Sequence, residues 1–493
     1  MIIRFLYSFI LVLTLIPSAA VSETTVLGVQ YGQQDVLGIE DSSARGSPGE
    51  GSASSFSGRG KALLAGAGFR HSDAAWEAIE EQLKPYFGSM VDTVVVIGNT
   101  RTKRVTVIRE MATKQGDPLD NELIRRDASF LRGLGFFSEV DISAEETGAG
   151  RCRITVRVAE RPRLFMKYPY PVVNYDIDDG ISYGFKWRIR NFRGYGEELS
   201  ISALKRRDRE HSGNVRWRIP WMVGRRLQFN VGLFNYRRLD EPPYKDYIKE
   251  WNRGQVFVGI PLSKSLVHQL WATTVFSFEA RDARLSIENS EGVGTLYRQN
   301  FFSVGFGLQY DSRDNWLTAR RGFLWRLSTR RYTSVHGLKQ RYIFYLFQNH
   351  LHLPIGDNGS MILTFDGDIR EGDVPDFFEM DLGGVQDLRG FKKDIREGKA
   401  KLIGTIQLRR RLFGPHVFNI PHIGTFDLAI NGVAFVDNGT IMQGLDRIDR
   451  AVFHTTGGVG FEILSPIQDL VRIEMALDKE LEPVFYLTSL RRF

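Results

Sequence analysis

The sequence predicts a secreted chain in which a small α+β domain precedes a transmembrane β-barrel of sixteen antiparallel strands. The amino terminus carries an export signal, and no later apolar stretch is long enough for a membrane-spanning helix. Beyond residue 162, segments of about ten residues alternate apolar and polar side chains. Such alternation is typical of barrel strands, because one face meets lipid and the other lines the lumen.

Residues 1–22 are predicted to be a signal peptide. They contain Arg4, an apolar run over residues 5–16, and small residues at Ala20 and Ser22 that suit cleavage. The run is shorter than the ~20 residues of a spanning helix, so we expect removal on export.

Two segments lie between the signal peptide and the first domain. Residues 23–70 are expected to be a disordered Gly/Ser-rich tether, because Ser or Gly occupies 12 of the 20 positions in 41–60. Residues 71–88 are predicted to contain a short helix, with Ile79 and Leu83 on one face.

Several classes of function are disfavoured. The net charge of +7 invites a nucleic-acid partner, but Lys186, Arg188 and Arg190 alternate with apolar residues and are expected to line an interior. The sequence contains neither GxSxG nor HExxH, so we predict no enzyme and no cofactor. His350 and His352 share a strand face without a third ligand and are predicted to be lumen polar residues instead of a metal site.

Residues 91–162 are predicted to form the small domain in the order strand, helix, helix, strand, strand. The predicted elements are Thr93–Ile97, Arg104–Met111, Asn121–Leu134, Val140–Ser143 and Cys152–Val158. The single cysteine, Cys152, excludes an internal disulfide.

This unit resembles a POTRA domain, the periplasmic module of outer-membrane protein assembly and transport proteins. The resemblance rests on Gly98-Asn99 after the first strand and on Leu134-Gly135-Phe136-Phe137 before the second. It implies that unfolded clients add their strands to an exposed sheet edge. A domain that only supports the barrel is the alternative.

Residues 165–493 are predicted to form the barrel. Its sixteen segments begin near Pro171, Ile181, Glu198, Asn214, Leu227, Gln255, Gln269, Phe301, Gly322, Tyr342, Ser360, Lys401, Phe426, Phe453, Leu470 and Val484. An even number brings both ends of the barrel to the same side of the membrane.

The connection between the eleventh and twelfth strands contains PDFFEMDLGGVQDLRGF, residues 375–391. It resembles the sixth extracellular loop of the BamA and TamA superfamily of bacterial surface antigens, with the hallmark motif at Leu388, Arg389, Gly390 and Phe391. Two other stretches also resemble this superfamily: residues 310–314 with Gly322 following, and residues 435–439.

The loop is expected to fold back into the lumen. Gly383, Gly384 and Gly390 allow a close approach to the wall. A buried Arg389 needs partners, because an unpaired buried charge costs several kcal/mol.

The resemblance implies a glutamate and an aspartate as the partners of Arg389. The aspartate corresponds to Asp437, but the glutamate position holds Gln407, which accepts a hydrogen bond without charge assistance. Glu474 is a neighbour that could compensate.

Two further sites are predicted. Asp311, Arg313, Asp314 and Gly322 form a turn motif, with the charged residues read as a stabilising ion pair. The closing seam is expected between a first strand weakened by proline and the last strand. The seam and carboxyl-terminal signal residues are Pro171, Val172, Tyr486 and Phe493.

The leading functional hypothesis is an accessory or specialised factor that inserts β-rich clients at the outer membrane of a Gram-negative-type bacterium. The expected partners are unfolded outer-membrane or secreted proteins, periplasmic accessory subunits and lipid, but no nucleic acid. One alternative is a transporter of one dedicated exoprotein, as in two-partner secretion. Another is a structural or solute-passing barrel.

Overall fold

The computed structural model describes residues 79–160 and, with short gaps, 169–488. The gaps are 177–179, 207–209, 223–224, 241–246, 267, 286–294, 315–317, 376–378, 386, 392–396, 421–423, 465–469 and 478–481. Four predicted features lie wholly or largely outside the described residues: the signal peptide 1–22, the tether 23–70, the first part of the helix in 71–88, and Phe493.

The small domain has the predicted order of elements. It consists of β1 (Met90–Ile97), α1 (Arg104–Glu110), α2 (Asn121–Gly133), β2 (Phe137–Gly148) and β3 (Arg151–Glu160). In its sheet β3 lies between β1, which is parallel to it, and β2, which is antiparallel. None of the helices among the described residues is long and apolar enough to cross a membrane.

A helical segment packs against this domain from the amino-terminal side. Residues 79–83 are helical and continue into a 3-10 turn at Lys84–Tyr86. Ile79 and Leu83 are buried in the same core as the sheet. Cys152 is also fully buried there as a free thiol.

Local chemistry explains two features of the domain. Asp120 caps α2 by accepting a 2.8 Å hydrogen bond from the N–H three residues on, and Ile124 and Leu131 are fully buried on one face. After β1 the chain passes against Val158 O with φ +86° at Gly98. A Cβ at that position would collide with the carbonyl, so the turn requires glycine.

Sixteen strands of the described residues close into one antiparallel barrel, which confirms the predicted number. The first eight are β4 (Tyr170–Asp176), β5 (Gly180–Phe192), β6 (Glu197–Lys205), β7 (His211–Ile219), β8 (Gln228–Asp240), β9 (Tyr247–Pro261), β10 (Gln269–Leu285) and β11 (Thr295–Asp311). Then follow β12 (Gly322–His336), β13 (Arg341–Ile355), β14 (Gly359–Gly372), β17 (Ala400–Ile420), β18 (Gly424–Met442), β19 (His454–Leu464), β20 (Leu470–Leu477) and β21 (Pro483–Thr488). The loop between β14 and β17 holds a two-stranded ladder of β15 (Met380–Asp381) and β16 (Glu397–Gly398), and a 3-10 helix, Leu445–Arg450, follows β18.

The barrel strands alternate as predicted. On β20, Arg472, Glu474 and Ala476 are buried on the lumen side, whereas Ile473 is 45% exposed on the outer side. Lys186 is likewise buried in the lumen, as expected for basic residues that alternate with apolar ones.

Two strands begin earlier than the alternation indicates. β9 begins at Tyr247 and not near Gln255, and β11 begins at Thr295 and not near Phe301. In the additional residues Asn252 and Arg298 are polar and exposed, whereas Trp251 and Tyr297 are buried on the lumen side. The alternation of outward apolar and inward polar residues is therefore absent where these strands extend beyond the part of the barrel surface that contacts lipid.

The small domain contacts the turn between β5 and β6. Gly194 O accepts hydrogen bonds from Lys103 N at 3.0 Å and from Thr106 Oγ1 at 2.9 Å. Asn191 Nδ2 donates to Thr102 Oγ1 at 2.8 Å. Backbone and side-chain bonds thus join the first turn of α1 and the residues before it to one end of the barrel.

Candidate functional site: the lumenal loop and the barrel seam

The connection between β14 and β17 folds back into the lumen. Leu388 and Arg389 are fully buried, and Phe391 is buried in an apolar cluster with wall residues such as Ile403. Gly383, Gly384 and Gly390 have φ values of 135°, 77° and 87°. These left-handed values are readily adopted only by glycine, so the sharp path of the loop depends on these positions.

Arg389 is held by two carboxylates. Its Nε and Nη2 donate to the two oxygens of Asp437 at 2.8 and 2.9 Å, and its Nη1 donates to Glu474 Oε1 at 2.7 Å. The guanidinium also lies 3.3 Å from the centre of the Phe435 ring. Thr405 Oγ1 donates to Asp437 at 2.8 Å and orients that carboxylate. The charge of Arg389 is therefore compensated within the lumen.

Gln407 contributes less to this lock than either carboxylate. Its Oε1 lies 3.4 Å from Arg389 Nη1, and its Nε2 donates to Glu462 Oε1 at 3.3 Å. Glu462 in turn pairs with Arg409 at 2.6 Å and with Arg472 at 3.2 Å. Gln407 thus joins the lock to a second buried ion-pair network.

Gly390 connects the loop to the last strand. Its N–H donates to the hydroxyl of Tyr486 at 2.9 Å. A Cβ on Gly390 would lie 2.7 Å from Leu477 O, so a larger residue would push the loop away from the wall. Tyr486 is buried on the lumen side of β21 and links the loop directly to the strand that closes the barrel.

The barrel closes between β21 and β4. Leu487 and Tyr175 form the one register pair among the described residues of these two strands. On β4, Pro171 is exposed and cannot donate to a ladder, whereas Val172 is buried. The structure therefore places Pro171, Val172 and Tyr486 at or beside the seam.

The turn motif lies where β11 leads into β12. Arg313 donates from Nε and Nη2 to the two oxygens of Asp311 at 3.0 and 2.8 Å, and both residues are buried. Asp314 accepts from Arg320 N at 2.9 Å, and Gly322 has φ 108°. These contacts are those of a turn-stabilising ion pair and cap.

The lumen histidines lie apart from the lock. His350 Nε2 is 3.0 Å from Asp366 Oδ1, and His352 is buried on the same face of β13. Among the described residues no group of three or more His, Cys, Asp or Glu side chains could hold a metal ion.

Two lumenal residues that pair with each other, Glu462 and Arg409, were not singled out from the sequence. Each stands at an inward position of an alternating strand, and that is the signal by which they could have been found. Their mutual contacts depend on which strands are neighbours in the closed barrel.

A further cluster lies outside the barrel, at the end of β3. Glu160 accepts hydrogen bonds from Thr102 N at 2.6 Å, from Arg101 Nε at 2.8 Å and from Thr100 Oγ1 at 2.8 Å. Burial raises the pKa of Glu160, but the bonds from Thr102, Arg101 and Thr100 outweigh it and lower that pKa to about 2. Because Thr102 also contacts Asn191, Glu160 stabilises the segment that meets the barrel.

Comparison with known families agrees with this architecture. The Omp85 superfamily domain matches residues 191–483, more than half of the chain. The chain belongs to the Omp85 superfamily. The surface antigen variable number repeat, or POTRA, matches residues 89–161 of this Omp85 protein.

Individual relatives are distant. The outer membrane protein assembly factor BamA of Nitratidesulfovibrio vulgaris is 31% identical over 77 residues, which is 16% of this chain and 10% of that protein. The match therefore spans about a tenth of the length of this curated relative.

Solved structures share the fold. BamA from Haemophilus ducreyi lacking POTRA domains 1–3 has a TM-score of 0.50 at 16% identity, over 81% of this chain and 84% of that one. CdiB from Acinetobacter baumannii has a TM-score of 0.53 at 13% identity, over 82% and 73%. CdiB from Escherichia coli has a TM-score of 0.55 at 12% identity, over 91% and 92%.

The family also locates the chain. An Omp85 barrel with a POTRA domain lies in the outer membrane with that domain in the periplasm, and Omp85 proteins such as BamA and CdiB are non-enzymatic. The turn between β5 and β6 is therefore periplasmic, and the loop between β14 and β17 enters the lumen from the extracellular side.

Proposed function

We propose that this Omp85 protein is an assembly factor, of accessory or specialised type, that inserts β-rich clients into the outer membrane. The observation that carries the proposal is the seam, where, in the part of the two strands that the structure describes, one register pair, Leu487 with Tyr175, joins β21 to β4. By comparison, six register pairs join β20 to β21 and seven join β4 to β5 among the described residues.

Opening of the barrel at this seam exposes the edges of β4 and β21, which then offer N–H and C=O groups to a client strand. The client's own folding would supply the driving force. The partners in this proposal are unfolded outer-membrane or secreted β-rich proteins, lipid at the open seam, and periplasmic accessory subunits.

The POTRA domain supports the proposal from the periplasmic side. β2 is an edge strand: among the described residues it pairs only with β3, and the other side of β3 pairs with β1. The end of β2 is exposed at Glu145 and Glu146. A client strand could add there before it reaches the seam, since main-chain bonding requires little sequence specificity.

A second candidate is a transporter that moves one dedicated exoprotein through the lumen. It is favoured by the wall formed by β9–β14, whose inward side chains line an open cavity. The two candidates use different routes, one through the seam and one through the lumen. A structural or solute-passing barrel would need neither.

A disulfide across the seam separates these routes. Tyr175→Cys with Leu487→Cys links β4 to β21. The matched control, Ile473→Cys with Leu487→Cys, links β20 to β21 through the same residue of β21. Cys152 is retained because it is fully buried.

The assay is insertion of an unfolded eight-stranded outer-membrane barrel into proteoliposomes that contain each variant. We expect the seam disulfide to slow insertion by about tenfold or more until a reductant is added, because β4 and β21 must separate. The control disulfide should leave the rate unchanged. Equal rates for both oxidised variants would refute insertion through the seam and favour the lumen route.

Depletion in the native host is an independent test. If loss of the chain leaves the amounts of all other outer-membrane barrels unchanged, the assembly proposal fails. Loss of one secreted protein alone would support the dedicated transporter.

A further inference from the structure

The hairpin formed by β12 and β13 carries charge of one sign. The sequence contains no aspartate or glutamate between Asp314 and Asp357, a stretch that includes both strands and the turn that joins them. This turn lies at the extracellular end of the barrel, because β13 begins beside the end of β14, where the lumenal loop departs. Any charged side chain on these two strands is therefore a cation.

Two arginines of the hairpin face away from the lumen. Arg331 on β12 and Arg341 at the start of β13 are exposed. Tyr332 and Tyr342, the next residue in each case, are buried on the lumen side. In the register of the two strands Arg341 is opposite Thr333, two residues from Arg331. The two arginines are therefore diagonal neighbours on the outer surface, about 7–8 Å apart and within reach of each other's long side chains.

Neither arginine takes part in the contacts that hold the barrel together. Among the described residues, no hydrogen bond, ion pair or aromatic ring engages the guanidinium group of Arg331 or of Arg341. Glu371 on β14 is opposite Ile343 and so is a diagonal neighbour of Arg341, but within the described part of the chain it forms no ion pair with that arginine. Both guanidinium groups are therefore available to an anion from outside the chain.

The arginines lie at the extracellular end of an apolar outer surface. On the periplasmic side of Arg331, Phe306 of β11 is 61% exposed and Leu327 of β12 is 45% exposed. An arginine on the lipid face of a barrel is costly at the middle of the bilayer and costs little near its interfaces. The pair is therefore expected at the level of the extracellular lipid headgroups, just above the surface that contacts acyl chains.

The turn between the two strands is held by hydrogen bonds. Gln299 on β11 accepts from Leu338 N at 2.8 Å, and Tyr297 donates to the side chain of Gln340 at 2.8 Å. Ser334 N donates to Gln340 O, and Gln340 N donates to Ser334 Oγ, both at 3.0 Å. These bonds close the hairpin at the residue before the second arginine, so little additional backbone has to be ordered when the pair binds an anion.

We propose that Arg331 and Arg341 bind a phosphate of a lipid headgroup in the outer leaflet of the membrane. A guanidinium group donates two parallel hydrogen bonds to phosphate oxygens, and two such groups at this spacing share one phosphate. Lys339 in the turn is exposed and adds a third cation. Lysines and arginines near a membrane surface are attracted to anionic headgroups. The inference concerns the lipid around the barrel and does not depend on the proposed insertion activity.

The test measures whether a phosphorylated lipid gathers beside the arginines of the full chain in phosphatidylcholine vesicles. A fluorophore is attached at Thr333→Cys, which lies between the two arginines on the outer surface. A small fraction of the lipid is nitroxide-labelled lipid A, with both phosphates or with none. We expect the phosphorylated lipid to quench the fluorophore about threefold or more strongly, and the difference to shrink as salt rises.

Two variants and a control locate the site. Arg331→Gln with Arg341→Gln should reduce quenching by the phosphorylated lipid to that of the dephosphorylated lipid. Arg331→Lys with Arg341→Lys keeps both charges but loses the two-bond geometry, so it should give an intermediate value. The matched control, Arg321→Gln with Arg410→Gln, removes two exposed arginines at the periplasmic end of the barrel and should leave quenching unchanged. Heat-modifiable electrophoresis checks that each variant is folded.

Three results would overturn the inference. The first is equal quenching by the two lipids, and the second is unchanged quenching when both arginines are replaced by glutamine. The third is loss of the enrichment on addition of inorganic phosphate at matched ionic strength, which would mean that the pair binds a free anion and not a lipid headgroup.

Discussion

Arg389 Nη1 donates a 2.7 Å hydrogen bond to Glu474 Oε1, so the second acid of the lock stands on β20 and not on β17. The first acid, Asp437, stands on β18 and binds two other guanidinium nitrogens. Because β20 pairs with β21, the lock connects the loop to the strands that lead to the seam. Gly390 adds a direct bond to Tyr486 on β21. We therefore expect the loop and the seam to be coupled.

Arg389→Ala should release the loop while the barrel still forms. Removing the cation leaves Asp437 and Glu474 buried without their partner, and breaking a buried pair of this kind costs about 3–5 kcal/mol. We expect increased cleavage of the loop by added protease and at least tenfold slower client insertion. Heat-modifiable electrophoresis checks that the barrel is folded.

The matched control is Arg450→Ala in the exposed 3-10 helix after β18. It should leave protease cleavage and insertion unchanged. Full activity of Arg389→Ala would show that the lock has no functional role.

Gln407→Glu is expected to destabilise the barrel, although it introduces the acid that the family resemblance implies. The amide of Gln407 donates to Glu462, and a carboxylate at this position would instead repel it. We expect the free energy of unfolding in urea, measured in lipid vesicles, to fall by about 1–3 kcal/mol. Adding Glu462→Gln should recover part of the loss in a double-mutant cycle. If Gln407→Glu alone were more stable than the unsubstituted chain, the absence of a carboxylate at position 407 would be what weakens the lock.

The sequence was informative about inward and outward faces. The alternation over β20 placed Arg472 and Glu474 on one face, and the structure has both in the lumen. The alternation failed at the start of β9, because the outward residue Asn252 is polar whereas the inward residue Trp251 is apolar, the reverse of the pattern in the lipid-facing part of a strand. Apolar residues recur at every second position only where one face of the strand contacts lipid. The pattern therefore ends where the strand extends beyond the membrane.

Contacts between distant segments were harder to predict. Gln407 and Glu462 are 55 positions apart on β17 and β19, which are separated by β18, so their contact depends on the curvature of the wall. The bond between Thr102 and Asn191 joins two domains through a turn with no periodic signal. The motif around Arg389 was recognisable because its residues are contiguous in the sequence.

Gly194→Ala should detach the POTRA domain from the barrel. Gly194 has φ +84°, and a Cβ there would collide with Arg101 O. The strained backbone and the collision should cost about 1 kcal/mol or more and weaken the bonds to Lys103 and Thr106. Spin labels at Glu146→Cys and Asp357→Cys, both exposed, should give a broader distance distribution than in the unsubstituted chain.

The control for this prediction is Gly88→Ala. Gly88 has φ +86°, but a Cβ added to it would meet no atom within 4 Å, so the substitution causes no collision with the barrel. Its spin-label distances should match those of the unsubstituted chain. An unchanged distribution in Gly194→Ala would show that other contacts hold the domain in place.

Glu160→Gln should destabilise the POTRA domain in a pH-dependent way. Because the pKa of Glu160 is lowered to about 2 in the folded chain, its contribution is complete above the ordinary pKa of about 4.3 and is lost as the pH falls toward 2. At pH 7 we expect the melting temperature of the domain, measured by calorimetry on the full chain, to fall by about 5 °C. The difference from the unsubstituted chain should shrink between pH 5 and pH 2 as the carboxylate is protonated. Glu145→Gln, an exposed change on β2, should follow the unsubstituted chain throughout. A difference that is independent of pH would mean that Glu160 acts through packing and not through its charge.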